Sequence, residues 1–307
     1  MDNRDLLKKY VNTGRAIPYS QYKKIQEIPQ LFKSYQRART IAVQNSNDEL
    51  EYYELSDEEL ASLEEVTTYN STIERLTELP DYFLKMYNVK NLDLKVNSLT
   101  DLPEELTSLQ NLTHLNLTNN KFTIFPEVIT TFKNLKVLEF QSNKLISLSE
   151  NFKMLDNLES VNFDGSNLTY LPDLPENLIN LNLSSNKFTV FPEVITKLKK
   201  LERLIFIHNQ LTTLPESFGS LFNLKRASFR GNQLTTLPNS IGNLVNLESL
   251  ELMENKITYI PDSIGNLKNL RELSIEEKFL SSEERIKIKS LLPNCNVIFQ
   301  KSWRYQH

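Results

Sequence analysis

A pattern of apolar residues that returns every 23 residues constrains this chain more than anything else in it. Residues 112–134 show it in full, as LTHLNLTNNKFTIFPEVITTFKN. Leu112, Leu115, Leu117, Phe122, Phe125, Ile129 and Phe132 are its apolar places. Asn120 follows Leu117 by three, and Pro126 follows Phe125. Copies begin at Val89, Leu112, Leu135, Leu158, Leu178, Leu201, Leu224 and Leu247. A period of this length means one supersecondary unit per copy, buried only by stacking on its neighbours.

The chemistry of one unit follows from the pattern. Leu115 and Leu117 alternate with Asn116 and Thr118, which reads as a short strand with one buried face. Asn120 then turns the chain, and its amide can satisfy backbone groups that a bend leaves unpaired. In the second half Pro126 fixes φ and disfavours a long helix. Stacked units place the strands in one parallel sheet.

The motif L-x-x-L-x-L-x-x-N-x-L resembles the signature of leucine-rich repeat proteins. The 23-residue length and the L-P-x-x-I-G-N-L halves at residues 237–244, with I-P-x-x-I-G-N-L at 260–267, are similar to intracellular and bacterial members of that family. The resemblance covers residues 66–299. It implies an α/β leucine-rich repeat solenoid, with a curved parallel sheet on the concave face and short helical or extended turns on the convex face. One repeat, 158–177, has 20 residues, carries YLPDLPEN and places Ser166 where the others have asparagine. It resembles the repeat type of secreted effectors of enteric bacterial pathogens, and its shorter convex half implies a local change of curvature. That effector family includes ubiquitin ligases, whose cysteine sits in a separate domain after the repeats; no segment of that length follows the repeats here.

Composition narrows the function. A net charge of −4 argues against a nucleic-acid binder. No apolar run is long enough for a membrane span. The start, MDNRDLLKKYVNTGR, does not read as a signal peptide. Cys295 is the single cysteine, so no internal disulfide is expected, and a reducing, cytoplasmic setting is favoured. His114, His208 and His307 lack a second ligand at metal spacing. Cys295 reads as a buried, inert thiol. No Gly-rich phosphate loop or nucleophile elbow occurs. The expectation is a non-enzymatic, monomeric protein with no cofactor and no metal.

Three regions are expected: a helical N-terminal cap over 1–65, repeats over 66–269 with a degenerate first copy, and a C-terminal cap and tail over 270–307. Residues 1–39 hold nine basic residues against three acidic, and residues 40–74 hold ten acidic residues facing no Lys or Arg. The two blocks either pair while capping the solenoid, or form a basic arm for an acidic partner or anionic surface. Short helices are expected in 1–39, and Ser56 with Glu59 reads as a capping box. Residues 40–55 read equally as a helix end or as a hairpin turning at 45–48. Ser281–Glu284 opens a terminal helix carrying Ile286, Leu291 and Leu292, and Cys295, Val297 and Phe299 alternate as a last strand. Trp303 and Tyr305 lie in the tail.

The outward places of each strand carry the functional information. Early strands present small polar groups, such as Asn91, Asn116 and Ser160. Then come Arg203, Ile205 and Ile207, followed by Arg226, Ser228 and Arg230, and by Ser249, Glu251 and Met253. Ile, Met and Arg on three neighbouring strands fit a hot spot for a protein partner. The other reading is that Ile205 and Ile207 are ordinary strand formers or lie under a terminal segment. The site expected here is Arg203, Ile205, Ile207, Arg226, Arg230, Glu251 and Met253, with Glu251 as the rival that could neutralise an arginine internally. A bacterial effector or surface protein binding a host protein, and a regulatory subunit of an enzyme, are the alternatives.

Overall fold

The computed structural model describes residues 40–44, 50–54, 67–70, 76–79, 83 and 86–300. The helices expected in 1–39, the capping box at Ser56 and the tail with Trp303, Tyr305 and His307 lie outside the described residues. Two compact units divide the chain, residues 1–143 and 144–307.

In the first unit, β1 (Thr40–Gln44) and β2 (Leu50–Glu54) pair antiparallel, so of the two readings of this segment the described residues take the strands and not the helix end. The repeats begin with β3 (Thr68–Asn70), β4 (Asn91–Asp93), β5 (His114–Asn116) and β6 (Val137–Glu139), each parallel to the next. The degenerate first copy buries Tyr69, Leu79, Phe83 and Met86 in their template places. The second unit continues with β7 (Ser160–Asn162), β8 (Asn180–Asn182), β9 (Arg203–Ile205), β10 (Arg226–Ser228), β11 (Ser249–Leu252), β12 (Glu272–Glu276) and β13 (Asn296–Gln300). These too are parallel, each strand pairing with the next in the chain.

Sequence explains the short turns opposite the strands. Pro126, extended at φ −66°, precedes a five-residue 3-10 turn, Glu127–Thr131, and its carbonyl accepts from the Ile129 N–H at 3.1 Å. Proline presets φ and its missing N–H is not needed there. Pro103, Pro192, Pro215, Pro238 and Pro261 do the same. Ser149 takes over at Glu150–Met154 by accepting from the Asn151 N–H. The short repeat has two prolines, at 172 and 175, and its described residues between β7 and β8 contain no 3-10 turn.

Asparagines link the repeats. The Asn120 side chain accepts from the Leu99 N–H at 3.0 Å and donates to the carbonyls of Leu94 and Leu117, both at 3.0 Å. Asn97, Asn143, Asn186, Asn209, Asn232 and Asn255 occupy the equivalent place, all buried. The residue before each is left-handed: Val96, Asn119, Ser142, Ser185, His208 and Glu254 have φ of 50–58°, and Gly231, before Asn232, has 69°. Side chains rarely adopt this region, and a β-branched valine least of all. The bonds on both sides of the turn hold it there. A second ladder lies at the other end of the strand. Asn111, Asn134, Asn177, Asn223, Asn246 and Asn269 each donate to a carbonyl of the preceding repeat at 2.6–3.0 Å.

Between β12 and β13 the second unit forms α1 (Ser282–Leu291), capped by Ser281, whose hydroxyl accepts from the Glu284 N–H at 3.1 Å. The helix buries Ile288, and Leu292 after it, whereas Ile286 stands 70% exposed. The helix expected to open at Ser281–Glu284 is thus present. On a 3.6-residue period, Ile288 and Leu292 share one face and Ile286 falls off it.

Candidate functional site

The outward face of β9, β10 and β11 lies wholly in the second unit and rests on a packed aromatic layer. Phe206 and Phe229 follow β9 and β10, fully buried, with ring centroids 6.3 Å apart. Phe191 and Phe218 pack on the same rings at 5.5–6.4 Å. Ala227 takes the place that Leu204 and Leu250 hold on the flanking strands. Rigid backing of this kind fixes the strand positions above it.

Alternation then sets which side chains face out. Arg203 and Arg226 stand directly opposite each other in the β9–β10 register, both exposed. Ser249 is next in the row on β11. Ile205 is half-buried and level with Ser228, which in turn faces Glu251. Ile207 is half-buried beyond the strand end, its N–H donating to the Ser184 hydroxyl at 3.2 Å.

Two of the expected site residues are engaged internally, and one is buried. Glu251 accepts from the Ser228 hydroxyl at 2.7 Å, so the expected internal neutralisation of an arginine by Glu251 is not what forms. Arg230 is instead tied to Glu254, with Nη2 at 2.6 Å and Nε at 3.1 Å from the same carboxylate oxygen. Met253 is only 8% exposed, which corrects its place in the patch. β11 ends at Leu252, while β12 runs on through Glu276, whose level matches Met253 when the register is extended by one residue. Arg203 and Arg226 have no ion-pair partner among the described residues. What remains open is Arg203, Arg226, Ile205 and Ile207.

Periodicity alone does not find the neighbour His208, exposed in the left-handed position after Ile207. Its N–H donates to the Arg230 carbonyl at 2.8 Å. Gly231 has φ +69°, and a Cβ there would lie 2.2 Å from His208 Nδ1. The glycine leaves room for the imidazole, and the sequence signal is a glycine one repeat after a bulky residue at the turn.

No chemistry of catalysis gathers here. Among the described residues no group of His, Cys, Asp and Glu could hold a metal ion. His114 Nδ1 lies 2.9 Å from the Thr113 hydroxyl. Cys295 is half-buried rather than fully buried, because it precedes β13 and does not lie within it. Burial pushes its thiol pKa up, disfavouring the nucleophilic thiolate. No described helix is long and apolar enough to cross a membrane.

Comparison with known proteins agrees with this architecture. A family model described as leucine-rich repeat region matches residues 176–295, and a second, leucine rich repeat, matches residues 72–122. No curated protein matches the sequence. Among solved structures, a leucine-rich repeat protein of Leptospira interrogans is 25% identical, with 79% of this chain and 86% of that one covered and a TM-score of 0.40. A chain of the Drosophila Toll–Spatzle complex is 23% identical with a TM-score of 0.62; the match covers 75% of this chain but only 33% of that one. The likeness to the Drosophila chain concerns the fold. With its repeats, its asparagine ladder and its parallel strands, this chain belongs to the leucine-rich repeat proteins.

Proposed function

We propose that the chain is a non-catalytic binding module whose protein partner docks on the open face of β9 and β10, at Arg203, Ile205, Ile207 and Arg226. Leucine-rich repeat domains in general mediate protein–protein interaction, and function within a fold is carried by its particular surface. The observation that carries this reading is the meeting of two exposed, unpaired arginines with two half-buried isoleucines, on strands made rigid by the phenylalanines beneath. Apolar side chains on an outward sheet face, rimmed by arginine, have the composition of a binding hot spot. Arg230 and Glu251 belong to the rim, already satisfied by Glu254 and Ser228.

The test begins with affinity capture and mass spectrometry, comparing wild type with Arg226→Glu. The partner that is lost is then titrated against Ile207→Asp, Arg226→Glu and Asn116→Ala. The first two should each weaken binding by about 2 kcal/mol or more. Asn116→Ala, on the first unit's β5, should leave it unchanged. Equal affinities across the three variants would move the site off this face.

A further inference from the structure

Arg203 opposite Arg226 is a like-charge pairing that the other described strand registers do not repeat. Directly opposite residues on neighbouring strands have their Cα atoms about 4.8 Å apart. Like charges in that position repel. Several cations elsewhere sit beside an acid: Lys225 by Glu202 at 2.8 Å, Arg230 by Glu254 at 2.6 Å, Lys95 by Asp93 at 3.2 Å, Lys197 by Asp173 at 2.9 Å. The row through the two arginines runs Asn180, Arg203, Arg226, Ser249, with no acid at either flanking place. Glu272 follows only one strand further on.

Resting on the docking reading above, we propose that the partner presents an extended, acidic segment here. In this arrangement carboxylates meet Arg203 and Arg226, and an apolar side chain two residues along meets Ile205. Guanidinium groups bind carboxylates bidentately and so fix orientation as well as charge. Ile205 lies two residues from Arg203 on the same strand, about 6.6 Å along it. That matches the repeat distance of same-face side chains in an extended peptide. The cationic zone is two residues wide, with neutral Asn180 on its β8 side and Glu251 and Glu272 on its β11–β12 side. One or two carboxylates fit that width. A continuous phosphate backbone would run on into the acidic strands beside it.

The experiment is a selection from a displayed random peptide library on the full chain, with an oligothymidine as the phosphate probe. The variants are the double substitution Arg203→Gln with Arg226→Gln, and Ile207→Asp. Thermal melting first establishes that each is folded. Enriched peptides are expected to carry Asp or Glu two places from a branched apolar residue. They should bind wild type about tenfold or more tighter than the arginine variant, and lose that margin when Glu is replaced by Gln or when salt is raised. Peptides without carboxylates, peptides indifferent to the arginine variant, or no enrichment over it would each overturn the proposal. So would arginine-dependent binding of the oligothymidine in place of peptides. Peptides lost on Ile207→Asp but not on the arginine variant would leave the docking face standing and remove its acidic chemistry. Peptides indifferent to both would remove the face as well.

Discussion

Asn209→Ala isolates one rung of the buried ladder, and the structure sets how much it should destabilise. The side chain is 6% exposed. It accepts from the Phe188 N–H at 3.2 Å and donates to the carbonyls of Leu183 at 2.9 Å and Ile207 at 3.2 Å. Truncation does not orphan the two acceptors equally with the donor. Leu183 O keeps the Asn186 amide at 3.1 Å, and Ile207 O keeps the Ser185 N–H at 2.8 Å. Only the buried Phe188 N–H loses the acceptor it has here. One buried, unpaired donor destabilises by about 1–3 kcal/mol. Asn209→Asp sharpens the reasoning. It keeps an acceptor for Phe188 but turns a carboxylate oxygen toward two carbonyl oxygens, so it should destabilise more than alanine does. Urea unfolding followed by far-ultraviolet circular dichroism measures both, with the slope checked for constancy. An alanine variant with the wild-type midpoint, or an aspartate variant more stable than the alanine one, would refute this account of the rung.

Three further outcomes are expected. Leu204→Ala removes a fully buried side chain and should destabilise by about 2–5 kcal/mol in the same unfolding assay. Ser166→Asn should stabilise by about 1 kcal/mol, read as a higher melting temperature, because the Ser166 hydroxyl is buried without a partner where an amide would complete the ladder. Glu216 accepts from the backbone N–H groups of Ser240 and Asn239, both at 2.9 Å, which hold its pKa below the ordinary glutamate range. A group depressed in the folded state contributes stability above its unfolded pKa and loses it as pH falls through the folded one. The small stabilisation lost in Glu216→Gln should therefore vanish in strong acid, and an NMR titration of Glu216 should give a midpoint below that of an unfolded glutamate.

The buried half of this protein was open to sequence reasoning, because leucine and asparagine at a fixed period leave few physical alternatives. Asn120 or Asn209 could be assigned to a turn before any coordinates existed, since a recurring amide in an apolar frame must satisfy backbone. The left-handed residue before each was not legible. Val96, Ser142, His208 and Glu254 share no side-chain property, and the conformation is imposed by hydrogen bonds on either side. The second ladder, with Asn134, Asn223 and Asn246, was not legible, because a polar residue between apolar segments gives no sign of which carbonyl it will reach. At the candidate site, alternation placed Arg203, Ile205 and Arg226 outward. It failed for Met253, because strand alternation stops where the strand does. It placed Arg230 outward as well but gave no sign of its partner Glu254, which sits on a turn whose geometry only the neighbouring repeat determines.

The two asparagine ladders also make the chain a graded mechanical element. In the second unit the asparagine-bearing repeats are held to the one before by side-chain bonds at the ends of their strands, with partners 21–26 residues away. Pulling on its C-terminal end loads these bonds one repeat at a time, as a seam opens stitch by stitch. Each release would lengthen the chain by about 80 Å for a 23-residue repeat and by about 70 Å for the 20-residue one. The shorter step would mark, in a force trace, the position of the repeat that carries Ser166 in place of asparagine.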